Sequence, residues 1–155
     1  KVHCLAIYDS ETDETIAYND VGNCEPISRG VQRLEDSEII AGHNVISYDI
    51  PVLQKIYPWF SPHGLVVDTL LLSRLYHNNM LDIDSKHKWK HMPLQMYGRH
   101  SLESYGYRLG EYKGAFGKDT DWQEWSEEMQ DYCIQDVLVT VKLCDHFHPY
   151  LIGSR

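Results

Sequence analysis

The chain has 155 residues, 43% of them hydrophobic and 24% charged, which suits one domain with an apolar core of its own. A formal net charge of −9 excludes a protein that holds nucleic acid by bulk electrostatics, though not a nuclease whose acidic groups hold cations against the phosphate. No apolar run could cross a bilayer and no signal peptide opens the chain; the scattered Cys4, Cys24, Cys133 and Cys144 form no CxxC pair, so a reducing, cytoplasmic setting is expected without zinc ribbon or disulfide framework.

In chain order, KVHCLAIYD is apolar and β-prone, an acidic link follows, and TIAYND completes the pattern of an antiparallel hairpin. SRGVQRLEDSE carries Val31 and Leu34 among polar residues and predicts a short amphipathic helix. EIIAGHN reads as a buried strand, and IPVLQKIY as a helix that begins just after Asp49 and stops at Pro58. LVVD is a further strand, and TLLLSRLYH a helix capped by Asp68 or Thr69. Residues 78 to 99 are polar, partly basic and without periodicity, which predicts a long loop. SLESYGYRLG predicts a helix ended by Gly110. Residues 111 to 124 read as irregular. WSEEMQDYCIQDVLVTVKLCDHF is the longest helix, with Ser126 as N-cap and Glu127 and Glu128 in its first turn. This order predicts a single α/β domain over residues 1–155 with a mixed sheet flanked by helices, and neither repeats nor low-complexity segments.

Two segments carry chemistry. HNVISYD puts Asn44 and Asp49 between a strand end and a helix start, where carboxylates can line a cleft; taken alone, Asp49 is better read as the cap of the helix that follows. In DYCIQD, Tyr132 and Asp136 lie four apart and share a helix face, and Asp136 sits among apolar neighbours where a carboxylate needs a partner or a metal. Taken alone, that motif reads equally as the polar stripe of an amphipathic helix.

Together, HNxxxYD followed much later by YxxxD resembles the second and third exonuclease motifs of the tyrosine-bearing branch of the DEDD superfamily. VDTLLLSRLYHNN, HSLESYGYRLGEYKG and EEMQDYCIQDVLVT extend the resemblance, over nearly the whole chain, to the 3′→5′ proofreading exonuclease domain of family A DNA polymerases of short-tailed bacteriophages. The resemblance implies a ribonuclease-H-like fold. It implies an enzyme that hydrolyses the 3′-terminal phosphodiester of single-stranded DNA with two divalent metal ions, magnesium or manganese. Asp49 and Asp136 would be metal ligands, Tyr132 would orient the attacking water, and His43 and Asn44 would lie near the terminal nucleotide. A polymerase domain in the same full-length chain, no membrane partner, and the cytoplasm of an infected bacterial cell are implied with it.

The family also carries an Asp-x-Glu on its first strand. Here KVHCLAIYD matches the family's second strand, so the first, metal-bearing strand is absent from this chain. The expectation is an N-terminally incomplete domain with unpaired sheet edges and doubtful activity of its own. Asp9-Ser10-Glu11 is no substitute, since its flanks Thr12, Asp13 and Glu14 are polar and it reads as a solvated turn. The rival readings are a catalytically dead module that binds single-stranded nucleic acid or scaffolds a polymerase, and a stand-alone ribonuclease of the same superfamily.

Smaller signals remain. SKHKWKHMPLQMYGRH interleaves cations with Trp89 and Tyr97, which suits either single-stranded DNA or a solvated loop. His87 and His91 make no expected zinc site, for want of ligands. Arg108 and Lys113, set around glycines in YRLGEYKG, either approach a backbone phosphate or end a helix. Trp122 and Trp125 read as core.

Overall fold

The computed structural model describes residues 1–111 and 122–153. Strands β1 (Cys4–Asp9) and β2 (Glu14–Asn19) pair antiparallel from Cys4↔Asn19 to Asp9↔Glu14. In the intervening turn the Asp9 carboxylate accepts the Glu11 N–H at 2.8 Å and forms an ion pair with Arg33. The acidic stretch is therefore a tied-off turn, as its polar flanks predict.

Helix α1 (Ile27–Asp36) buries Ile27 and Val31 with Tyr18, Leu53 and Phe60 in one core. Gly30 allows the close approach of helix to hairpin, because a Cβ there would meet Leu5 Cδ2 at 2.6 Å and Tyr18 Cδ2 at 2.8 Å. Gly30→Val is expected to cost about 1–3 kcal/mol through overpacking, checked by urea unfolding, while valine at the exposed Arg29 should cost a few tenths.

Strand β3 (Ile39–Gly42) pairs parallel with β4 (Leu65–Asp68), from Ile39↔Leu65 to Gly42↔Asp68. The reading of β3 as a buried strand needs correction. Ile40 is buried, but Ile39 is 61% exposed, as an alternating half-covered strand requires. The architecture is α/β, yet the expected mixed sheet is two separate two-stranded pairs, one antiparallel and one parallel, among the described residues.

A π-helical turn (Val45–Asp49) leads into α2 (Ile50–Ile56), and α3 (Thr69–Tyr76) starts at an Asp68 cap that accepts the Leu70 N–H. Residues 78–99 are not the expected loop: α4 (Met80–His87) and a 3-10 turn (Leu94–Met96) lie within them. The inward positions of α4 are Met80 and Asp84, so its buried stripe contains a carboxylate and shows no apolar period. Helix α5 (Leu102–Arg108) precedes a left-handed Gly110, and α6 (Glu127–Leu151) opens on Ser126, whose hydroxyl accepts the Met129 N–H. Helix α6 packs on the hairpin, on β3, on α3 and on α5, and closes a second core of Met80, Tyr105, Val139, Leu143 and Phe147. Trp125 is half-buried and donates its indole N–H to Gln130, but Trp122 is 48% exposed, which corrects its reading as core. No helix among the described residues is long and apolar enough to cross a membrane.

Candidate active site

The site is assembled at the C-terminal end of the β3–β4 pair. Asp68, 5% exposed, organises it. One oxygen of its carboxylate accepts the Asn44 and Leu70 N–H groups, both at 2.9 Å, and the other accepts the Ile46 N–H at 3.2 Å. It thereby caps α3 and fixes the turn after β3. Asn44 takes the left-handed conformation there, φ 64°, which an asparagine tolerates better than most residues.

This pinned turn delivers Asp49. The side chain makes no capping hydrogen bond to α2, so the cap reading of Asp49 is set aside. Burial pushes its carboxyl above the usual range, and the Asp68 charge adds to the shift. Asp136 projects from the middle of α6 into the same region. Its carboxyl is pushed up to about 6 by burial first, then by Asp49 and by Glu103 of α5. The Asp49 charge, 87 positions away in the chain, thus adds to the burial that raises the half-buried Asp136 carboxyl, a condition that a cation would relieve; Asp49 itself is exposed.

Glu103 is a member of this acidic group that the sequence reading missed. Its only signal was its place in the first turn of α5 behind the Ser101 cap, which reads as a helix-dipole carboxylate. Tyr132 lies one turn before Asp136 and packs edge-on against Trp122, ring centroids 5.8 Å apart. Among the described residues no group of three or more His, Cys, Asp or Glu side chains takes up the arrangement of a metal site.

Beside the carboxylates lies a cleft of about 550 Å³, lined by His43, Asn44, Arg74, Arg99 and His100 with Leu70 and Leu102 as apolar walls. It is not lined by Asp49 or Asp136, but it adjoins them through Asn44 and Leu102, which neighbour the Asp49 turn and Glu103. Arg74 and Arg99 are exposed and have no ion-pair partner among the described residues. Two guanidiniums on one cleft give it local positive charge in a chain of net charge −9.

The imidazoles of the cleft are held from behind. His43, held below the usual imidazole range by burial, donates from Nε2 to the His100 carbonyl at 2.8 Å and pairs through Nδ1 with the Thr69 hydroxyl at 2.9 Å, a hydroxyl that also donates to the Gly42 carbonyl at 3.2 Å. Both nitrogens are engaged, so His43 offers a ligand its ring and not a hydrogen bond. His100 Nδ1 pairs with Ser73 Oγ at 2.6 Å, and Ser73 Oγ with the Tyr105 hydroxyl at 2.5 Å.

The remaining sequence candidates fall elsewhere. Arg108 is no phosphate contact. Its side chain is 5% exposed and grips Asp84, Nε to Oδ1 at 2.9 Å and Nη2 to Oδ2 at 2.7 Å, and it donates to the Arg99 carbonyl. Asp84 also accepts the Trp89 indole N–H and the Gly98 N–H, so the basic segment is folded around a buried ion pair. His87 stacks on Trp89 at 3.5 Å. Lys113 lies outside the described residues.

No family model matches the chain. It is 35% identical to the DNA-directed DNA polymerase of Escherichia phage T7 over 180 residues, an alignment that covers 96% of this chain and 25% of that protein. Identity to the DNA-directed DNA polymerase of Enterobacteria phage T3 is 34%, with the same coverage. The chain is homologous to these phage polymerases and spans about a quarter of their length.

Proposed function

We propose that the chain is the 3′→5′ proofreading exonuclease part of a family A phage DNA polymerase, with a ribonuclease-H-like fold. The observation that carries this reading is the half-buried Asp136, whose carboxyl is raised by burial and then by the Asp49 charge, near a cleft with two guanidiniums that have no ion-pair partner among the described residues. Homology to DNA polymerases supports it and makes a DNA strand the natural ligand.

The donor set decides what can be held. Two carboxylates are hard oxygen ligands suited to magnesium or manganese, and they fit one such cation in part. They do not complete a two-cation centre. By the resemblance, the other two carboxylates would come from an Asp-x-Glu pair. In the intact site, bound cations supply the charge that offsets the phosphodiester. The residues of this chain position the reactants. Tyr132 orients the attacking water, Asn44 and the ring of His43 flank the 3′-terminal nucleotide, and Arg74 and Arg99 take its phosphates. The partner is then the frayed 3′ end of a DNA strand, delivered from a polymerase domain in the cytoplasm of an infected bacterium.

The test uses 3′-labelled single-stranded DNA with manganese. It compares this chain, the same chain extended upstream by the relatives' first strand, and the extended chain with Asp136→Ala. The extended chain should release labelled mononucleotide and the Asp136→Ala form should not. Failure of the extended chain would sink the reading. Retained strand binding in that case would favour a dead binding module.

The cleft makes a separate prediction. Arg74→Ala and Arg99→Ala should each weaken single-stranded DNA binding for all sequences alike, and each should lower the salt slope by about 0.7, as read by fluorescence anisotropy across a salt series. Lys55→Ala, on an exposed face of α2, should change neither.

A further inference from the structure

We propose that Cys4 and Cys133 are a redox-sensitive dithiol, and that a disulfide between them staples the N-terminal hairpin to α6 one residue from Tyr132. The proposal is independent of the exonuclease reading.

The geometry comes from three neighbouring ties. Cys4 and Asn19 are cross-strand partners at the open end of the hairpin. Asn19 reaches α6 by donating from Nδ2 to Gln130 Oε1 at 2.6 Å. Cys4 Sγ lies 3.9 Å from the Met129 carbonyl oxygen. Cys133 is one helical turn beyond Met129, on the same face, which brings its side chain up beside Cys4. Both cysteines are free and only half-buried, so a small disulfide can reach them.

The pair is also chemically asymmetric. The hydrogen bond from the Cys133 thiol holds Cys4 below the usual thiol range, and the same bond together with burial pushes Cys133 up. Cys4 is thus the attacking sulfur and Cys133 the resolving one. With oxidised glutathione as the oxidant, the Cys4 thiolate attacks one glutathione sulfur and the other leaves as a thiolate, which takes up the proton lost by Cys4. The Cys133 sulfur then gives its proton to solvent, attacks Cys4 Sγ of the mixed disulfide and expels the second glutathione thiolate, which is reprotonated. Two protein thiols are oxidised and one glutathione disulfide is reduced to two thiols.

The experiment exposes the reduced protein to oxidised glutathione, followed by non-reducing peptide mapping and thermal melting. A linked peptide joining Cys4 to Cys133, the loss of two hydrogens in mass, and a rise in Tm of roughly 5–15 °C reversed by dithiothreitol are expected, because the bridge closes a long loop. The Cys133→Ser variant should stop at a stable glutathione adduct on Cys4. Dibromobimane, which fluoresces strongly only when both arms have alkylated thiols, should light up the parent several-fold more than Cys4→Ser or Cys133→Ser, with no need for a disulfide to form. Glutathione adducts without a linked peptide, a linked peptide through Cys24 or Cys144, or equal dibromobimane fluorescence in parent and variants would overturn the proposal.

Discussion

Asp84→Ala is expected to lower the unfolding free energy by about 3–5 kcal/mol, because it strands a buried guanidinium. The Asp84 side chain is 0% exposed, and its two oxygens accept from the Arg108 guanidinium, the Gly98 N–H and the Trp89 indole. Burial alone would push its carboxyl up; the Arg108, Gly98 and Trp89 donors outweigh burial and hold it below the usual aspartate range. A lowered carboxyl stabilises the fold above the unfolded-state pKa, and this part is lost as pH falls through the folded-state value. The deficit of the alanine variant, read by urea unfolding, should therefore be full at neutral pH and shrink in acid. Arg108→Met strands the Asp84 carboxylate in turn, but that group keeps the Trp89 and Gly98 donors and can take up a proton, which a guanidinium cannot lose, so it should cost less than Asp84→Ala. Gly98 and Arg99 border the cleft, so the Asp84 variant should also lose affinity for single-stranded DNA.

The second large effect has the opposite sign. Asp136→Asn is expected to stabilise the cation-free protein at neutral pH by about 1–3 kcal/mol, discounted for partial exposure, while abolishing the proposed nuclease. The carboxyl of Asp136 is pushed up to about 6 in the fold from the ordinary 3.8 of an aspartate, so the folded state holds its proton to higher pH than the unfolded chain. Stability from this group is then greatest below the unfolded value and declines as pH rises between the two values. The gain from asparagine should follow that window: absent at about pH 4 or below, complete above about pH 6–7. Saturating magnesium should close the gap by neutralising the pair in the parent. A residue that is destabilising where it stands, and not replaced by something easier to bury, is what a site selected for function looks like.

Much of this was legible in the residues. The hairpin, α1, α2, α3, α5 and α6 announced themselves through alternation, apolar period, Pro and Gly stops, and the Asp68 and Ser126 caps. The proposed pairing of Asp49 with Asp136 comes from the resemblance; in the fold the Asp49 charge is second to burial among the causes that raise the Asp136 carboxyl. What stayed hidden depends on contacts between distant segments. Helix α4 was invisible because its inward residue at the second turn is Asp84, apolar in position but charged in kind. Arg108 looked like a phosphate ligand because nothing local announces a partner 24 residues upstream. The π-helical turn over Val45–Asp49 lies in a stretch with no glycine or proline to mark it, and is held by Asp68 from another strand. Glu103 and the Arg74–Arg99 cleft required α3 and α5 to be seen side by side.

The central claim is that Asp49 and Asp136 face one another to hold a divalent cation. The most direct measurement is a carbon-13 NMR titration of the Asp136 carboxyl, with and without magnesium. The account predicts a midpoint at about 6 without metal, a lower midpoint when Asp49 is replaced by asparagine, and a fall of the parent's midpoint toward or below the ordinary range as magnesium is added. A midpoint at about 4, unmoved by magnesium and by Asp49→Asn, would contradict it.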